Sequence, residues 1–266
     1  MHTIKGLRKE KWYTQKETAE MIGIHRITYN LSEKGERTRK EEELERLSEI
    51  FDVSIDVLTG HAILPDKPSN NPDLDQKVFE NVLLYILNQV GIKPNIGKTV
   101  LYKLLYFSDF NHYEKHRSSI TWSNYIRLPM WPALYNFDML VHDMVKEDKI
   151  LVTDQHYMWY YQKKYFPNKI VKWDDLSATA RAIIDEVLAD YSDMGASEIS
   201  DFSHWDIPRQ QTKDMEIIDY TLARQRTYPY SVLAREKKKQ EAFAQIQKSN
   251  IFSDIEQESD AYEKYR

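Results

Sequence analysis

The sequence contains no cysteine among its 266 residues, which excludes disulfide bonds, thiolate catalysis and cysteine-based zinc or iron–sulfur sites. Glycine and proline are also scarce, with 7 and 9 residues, and no glycine-rich phosphate-binding loop is present. No apolar run approaches the ~18 residues that a membrane span needs, and the first residues lack the apolar core of a signal peptide. We therefore expect a cytoplasmic protein that does not enter a membrane.

The composition predicts a mainly α-helical chain with packed cores. A hydrophobic content of 41% and many Leu, Glu, Lys and Ala residues favour folded helices over disorder. A chain of this length is long enough to form two domains. The net charge of −5 argues against a protein that coats nucleic acid non-specifically, so any DNA contact must come from a local patch.

One linker divides the chain. Residues 61–75 contain three prolines and two adjacent asparagines, which break helices and favour an extended, solvated connection. We therefore expect a first domain over residues 1–60 and a second over 76–230. The charged residues 231–266 are expected to form a helical or disordered tail.

The first domain has the helical pattern of a helix-turn-helix. Thr14 is placed to cap a helix, and Gly23 is placed to make the tight turn after it. The next helix, from His25 to Lys34, would be the recognition helix, and Gly35 would end it. Two further amphipathic helices complete a five-helix domain, with apolar positions Leu44, Leu47, Ile50 and Phe51 in one and Val53, Ile55, Val57 and Leu58 in the other.

The second domain is expected to be mostly helical with a small β-hairpin or sheet. Helical periodicity begins near Gln76, with Gly91 as the cap, and returns from Lys98 to His116. Further predicted helices are 133–146 and 176–191, the latter capped by Ser177, and a short helix begins at Ser197. Residues 118–132 look extended, and residues 150–161 predict a hairpin whose polar turn lies between Thr153 and Tyr157.

Nearly all of the first 60 residues resemble the Cro/repressor (XRE) family of helix-turn-helix domains. The resemblance is carried by Leu7-Arg8, Thr14-Gln15, Ala19, Gly23 and Glu33-x-Gly35-x-Arg37. It implies a structural pair between Arg8 and Glu33 and a phosphate contact from Gln15. It also implies operator binding, normally by a dimer whose two half-sites lie roughly 34 Å apart.

The same resemblance places base contacts at the start of the recognition helix. Arg26 has the donors for guanine, and Ile27 can pack on a thymine methyl group. Lys34, Arg37 and Arg39, next to Lys40, form a basic cluster suited to phosphates. The candidate DNA-binding residues are Gln15, Arg26, Ile27, Thr28, Asn30, Leu31, Lys34, Arg37 and Arg39.

Three residues of the recognition helix depart from the family pattern. His25 stands where Ser or Thr is usual, and Tyr29 and Ser32 stand where the family has inward aliphatic residues. These departures leave open a helix that is rotated or shifted by one residue. The domain also carries about as many acids as bases, so a domain kept for dimerisation alone is the alternative.

The second domain resembles the Panacea (SocA-like) antitoxin domain from about Val78 to Tyr230. The matching segments are residues 103–109, 119–121, 125–132, 176–177, 196–200, 203–204 and 216–220. Trp131 departs from the glycine usual at that position, where a special backbone angle is involved. The resemblance implies the antitoxin of a type II toxin–antitoxin system, which neutralises a co-encoded protein toxin by direct binding. The helix-turn-helix would then repress the shared operon.

An extended segment rich in aromatic residues and arginine has the side chains that dominate protein interfaces. The candidate toxin-binding residues are Tyr125, Arg127, Met130 and Trp131. The alternative is that Trp122, Tyr125 and Trp131 belong to the core.

No catalytic constellation stands out, so we expect neither an enzyme nor a cofactor. Asp109, His112 and His116 share one helix face and could hold a metal, but the neighbouring Lys115 and Arg117 favour a solvated face. The serine–histidine pair at 203–204 is a weak catalytic signal. The aromatic and basic residues 157–165 are typical either of a half-buried hairpin or of a site for single-stranded nucleic acid. A transcription regulator whose second domain senses a ligand or another protein is the alternative function.

Overall fold

Two separate hydrophobic cores organise the chain, one formed by residues 4–58 and one by residues 79–223. The structure is a computed structural model, and it describes residues 4–11, 13–51, 53, 55–61, 74–128, 132–135, 137–157 and 160–248. The first core belongs to five helices, namely α1 (Ile4–Glu10), α2 (Gln15–Met21), α3 (Arg26–Lys34), α4 (Glu41–Phe51) and α5 (Ile55–Thr59).

Local sequence signals set the ends of these helices. The Thr14 side chain accepts from the backbone N–H of Glu17, and the Glu17 carboxylate accepts from the backbone N–H of Thr14, which makes a capping box at the start of α2. Gly23 and Gly35 adopt φ angles of +74° and +79°, which a residue with a Cβ rarely adopts. The predicted turn and the predicted end of the recognition helix are therefore confirmed.

The second domain is built around one buried helix. Its helices are α6 (Gln76–Val90), α7 (Lys98–His116), α8 (Phe137–Lys146), α9 (Ala178–Tyr191), α10 (Ala196–His204), α11 (Ile207–Gln211) and α12 (Val232–Lys248). Its strands are β1 (Tyr125–Arg127), β2 (Pro132–Leu134), β3 (Ile150–Tyr157) and β4 (Tyr160–Pro167). Helix α7 is buried on nearly every side, and α9, α10, α12 and a 3-10 turn at Tyr220–Gln225 pack against it. The predicted mainly α fold with small β elements is confirmed.

A buried ion pair ties the 3-10 turn to the rest of the second domain. The Arg226 guanidinium donates from Nε to Asp206 Oδ1 at 2.9 Å and from a second nitrogen to Oδ2. It also donates to Asn111 on α7 at 2.9 Å, and Tyr106 donates its hydroxyl to Asp206 at 2.8 Å. Both charged side chains are fully buried, so each charge is compensated by its partner and not by water.

The β elements differ in two places from the sequence-based expectation. Residues 133–134 belong to β2, which pairs antiparallel with β1 (Tyr125 opposite Leu134), so the helix expected from residue 133 begins only at Phe137. In the hairpin, residues 154–156 continue β3 instead of forming the turn, because they pair with 161–163 of β4. Local polarity suggested a turn there, and strand pairing outweighs it.

Other expectations for the second domain are confirmed. Helix α7 has the predicted bounds, and the Ser177 side chain accepts from the backbone N–H of Ala180 to cap α9. Within the described residues, none of the helices is both long enough and apolar enough to cross a bilayer.

Candidate nucleic-acid interface and partner surface

Helix α3 presents one continuous exposed face. The exposed or half-exposed residues on it recur at the helical spacing i, i+1, i+4, i+5 and i+8, and they are Arg26, Ile27, Asn30, Leu31 and Lys34. Ile27 is 65% exposed and Leu31 is 38% exposed. Thr28 is half-buried at the edge of this face. The face therefore combines one arginine, one amide, two apolar side chains and one lysine.

The register of α3 is not shifted. Tyr29 and Ser32, the two departures from the family pattern, are both buried and point into the first core. His25 acts as the N-cap, and its Nδ1 accepts from the backbone N–H of Ile27 at 3.3 Å. A tyrosine and a serine thus replace the usual aliphatic residues without rotating the helix.

Arg8, Glu33 and Gln15 form one hydrogen-bonded group beneath this face. Arg8 donates from Nη2 to Glu33 Oε1 at 3.0 Å, and also to the backbone oxygen of Tyr13 at 2.7 Å. The Gln15 amide donates to Glu33 Oε2 at 2.8 Å. This is the pairing of Arg8 with Glu33 that the resemblance implies. It also fixes Gln15, the expected phosphate contact, at the first turn of α2.

Two of the expected phosphate contacts are used inside the domain. Arg37 makes a two-pronged contact with Glu43, both N···O distances being 2.8 Å, and also donates to the Ser32 hydroxyl. Arg39 is half-buried and donates to the Ser32 backbone oxygen. Both arginines hold the connection between α3 and α4, and the Arg37 side chain keeps 26% of its surface exposed, so the phosphate contacts of Arg37 and Arg39 stay predictions. Lys34 remains exposed.

In the second domain, Asp109 organises the segment after α7. This buried carboxylate accepts from both the backbone N–H and the hydroxyl of Thr121, at 2.8 and 2.6 Å. It also accepts from the Ser119 hydroxyl at 2.9 Å, the Ile120 N–H at 3.0 Å and the Tyr125 hydroxyl at 2.8 Å. Burial raises the pKa of Asp109, and these hydrogen bonds oppose that shift.

The structure changes the candidate toxin-binding set. Tyr125 is only 1% exposed and packs against Tyr106 and Phe110, so it belongs to the core and is not an interface residue. Arg127 is half-exposed, and its Nε lies 2.9 Å from Asp214 Oδ1. Met130 and Trp131 lie outside the described residues.

A tryptophan that sequence reasoning did not select lies close to this region. Trp205, at the end of α10, is 65% exposed. The buried Arg209 connects Trp205 with the end of β1. It donates to the backbone oxygen of His204, next to Trp205, at 3.2 Å, and to that of Leu128, next to Arg127, at 3.1 Å. Ile217, which bridges to Ile126 beside β1, is exposed as well. The sequence shows only a tryptophan after a short predicted helix, and its exposure is visible only in the structure.

The histidines of α7 do not assemble with Asp109. His112 is buried, its Nδ1 lies 2.5 Å from the Ser118 backbone oxygen, and Asp109 is occupied by the contacts given above. Within the part of the chain that the structure describes, no three acidic or histidine side chains come together as metal ligands. His116 instead lines a shallow groove of about 320 Å³ with Lys115, Thr179, Ile183 and Glu186.

Comparison with protein families gives a match for each domain. A model described as "Helix-turn-helix" matches residues 4–58. A model described as "Antitoxin SocA-like, Panacea domain" matches residues 101–208, a narrower range than the motifs indicated. Comparisons with curated proteins and with solved structures found no match. One segment of the chain is therefore similar to a helix-turn-helix domain and another to an antitoxin SocA-like Panacea domain.

Proposed function

We propose that this protein is the antitoxin of a type II toxin–antitoxin system. Its Panacea-like domain would bind and neutralise a toxin encoded beside it, and its helix-turn-helix would repress the shared operon as a homodimer. The observation that carries the proposal is the joining of these two domain types in one chain. Both types are typically non-enzymatic.

The exposed face of α3 supports sequence-specific DNA binding. Arg26 and Asn30 can contact guanine and adenine edges, and Ile27 and Leu31 can contact thymine methyl groups in the major groove. Each bidentate base contact contributes about 1–3 kcal/mol of discrimination. A face with two exposed aliphatic residues is costly in water, and a groove lined by thymine methyl groups would remove that cost.

Promoter binding by the full chain tests this part of the proposal. The probe is a duplex from immediately upstream of the gene. We expect Arg26→Ala to weaken specific binding by roughly 5- to 150-fold, the equivalent of about 1–3 kcal/mol. Lys9→Ala removes an equally exposed cation from α1 and is the matched control. Equal affinities for both variants would contradict the assignment of α3 as the recognition helix.

For the toxin surface, we propose the region around Trp205, Arg127 and Ile217. Tryptophan and arginine are enriched among residues that dominate binding energies. Arg209 ties this region to the second core, so the surface is held rigidly.

The groove beside His116 favours a second candidate function. Its volume lies at the lower end of small-ligand sites, and its charged lining residues, Lys115 and Glu186, each form ion pairs with α12. A regulator that senses a small molecule there would need no toxin. Co-expression with the adjacent gene distinguishes the two functions, because a small-molecule sensor would not relieve growth arrest by a toxin.

A further inference from the structure

A half-buried carboxylate joins the two domains. Asp138, in the first turn of α8, lies between two ammonium groups: its Oδ2 is 2.8 Å from Lys11 Nζ and its Oδ1 is 3.0 Å from Lys98 Nζ. Lys11 follows α1 in the helix-turn-helix domain, whereas Lys98 begins α7 of the Panacea-like domain. Burial acts to raise the pKa of Asp138, but the two lysines more than offset it, so the carboxyl stays ionised.

A second contact lies beside this ion cluster. The Lys163 ammonium, on β4, is 4.9 Å from the centroid of the Tyr13 ring, a cation–π distance. Strand β4 also packs against α2. The hairpin and the start of α8 together therefore form a platform on which the connection between α1 and α2 rests.

This docking contact uses the end of the domain that is expected to meet DNA. Lys11 and Tyr13 directly precede Gln15, the expected phosphate contact. In the docked arrangement, the positive charge of Lys11 is neutralised by a carboxylate. Docking therefore pairs the Lys11 ammonium with a carboxylate, whereas DNA binding would pair it with a phosphate.

We propose that docking of the Panacea-like domain on the α1–α2 connection is an autoinhibitory contact, in which Asp138 competes with DNA phosphate for Lys11. The inference rests on the DNA-binding function proposed above. DNA and the docked domain then exclude each other at Lys11, and release of the contact frees one more cation for DNA.

The test measures binding of the full chain to a random-sequence DNA duplex by fluorescence anisotropy over a range of salt concentrations. Non-specific binding is the right probe, because it depends on phosphate contacts. We expect Asp138→Asn to bind roughly fivefold to tenfold more tightly than wild type at 0.1 M salt. Its slope of log K against log salt should be steeper by about 0.9, which is one phosphate contact.

Asp143→Asn is the matched control, because it makes the same change of charge elsewhere on α8. Lys11→Gln should abolish the gain when combined with Asp138→Asn. It should have little effect in the wild-type background. Equal affinities of Asp138→Asn and Asp143→Asn would overturn the autoinhibitory contact alone. No DNA binding by any variant would overturn the DNA-binding function with it.

A distance measurement between α2 and α8 tests the docking contact without relying on DNA affinity. The chain has no cysteine, so Glu20→Cys on α2 and Lys146→Cys on α8 give a unique pair for spin labels. We expect one narrow distance in the wild-type background and a broad distribution with Asp138→Asn or with saturating DNA. A narrow distribution that persists in Asp138→Asn would overturn the proposal.

Discussion

Removal of the Asp109 carboxylate is expected to destabilise the second domain severely. The side chain is buried at the centre of five hydrogen bonds, and two of its donors are the backbone N–H groups of Ile120 and Thr121. In Asp109→Ala, neither N–H can turn to another acceptor, whereas the hydroxyl donors can rotate. A buried donor left without a partner costs about 1–3 kcal/mol. We therefore expect a loss of about 2–6 kcal/mol in the free energy of unfolding.

Asp109→Asn separates charge from hydrogen bonding. The remaining amide oxygen can still accept from both N–H groups, and the hydroxyls of Thr121 and Tyr125 can turn to accept from the new NH₂ group. Only the charge-assisted part is lost, so the expected cost is about 1–2 kcal/mol. The order wild type, Asn, Ala follows from the geometry alone.

Urea unfolding followed by tryptophan fluorescence measures these differences. Five of the six tryptophans lie between residues 122 and 205, so the signal reports mainly on the second domain. Asp201→Ala, an exposed change on α10, is the control and should cost less than about 0.5 kcal/mol. An Asp109→Ala variant as stable as the control would refute the structural role assigned to this carboxylate.

Three further predictions concern other parts of the molecule. Asp206→Ala leaves the buried Arg226 with only the more distant Glu114 carboxylate, 4.0 Å away, and should cost about 3–5 kcal/mol in the same unfolding assay. Trp205→Ala should weaken binding of the adjacent gene's product by tenfold or more, about 1.4 kcal/mol, whereas Ile92→Ala, a change at another exposed apolar residue, should not. The Arg37 hydrogen bond lowers the pKa of Glu43, so its contribution is present above the ordinary value of 4.5 and is lost as pH falls through the lowered value. The melting-temperature gap between wild type and Glu43→Gln should therefore narrow on acidification below pH 4, and a gap independent of pH would contradict this role.

Local signals predicted much of the fold. Thr14, Ser177, Gly23 and Gly35 specify helix ends through hydrogen bonds and backbone angles that involve only neighbouring residues. Helix α7 was recognisable because its apolar residues recur at helical spacing over a long stretch. Such features do not depend on the rest of the molecule.

The differences from the sequence-based expectation lie where contacts between residues that are not neighbours in sequence decide the structure. Residues 133–134 form a strand because β1 pairs with them. Tyr125 is buried because its ring packs against Tyr106 and Phe110 and its hydroxyl donates to Asp109. Arg37 resembles a phosphate contact in the sequence, but Glu43 lies close enough in the fold to bind it. The contact of Asp138 with the first domain has no sequence signal, because its partner lies far away in the chain.

A growth assay with the adjacent gene tests the central claim most directly. The neighbouring product is expressed alone, with the full chain, and with the chain lacking residues 1–61, which leaves the second core complete. The account predicts growth arrest by the neighbour alone and normal growth with either form of this protein. A neighbour that is harmless by itself, or one whose toxicity neither form relieves, would contradict the antitoxin function.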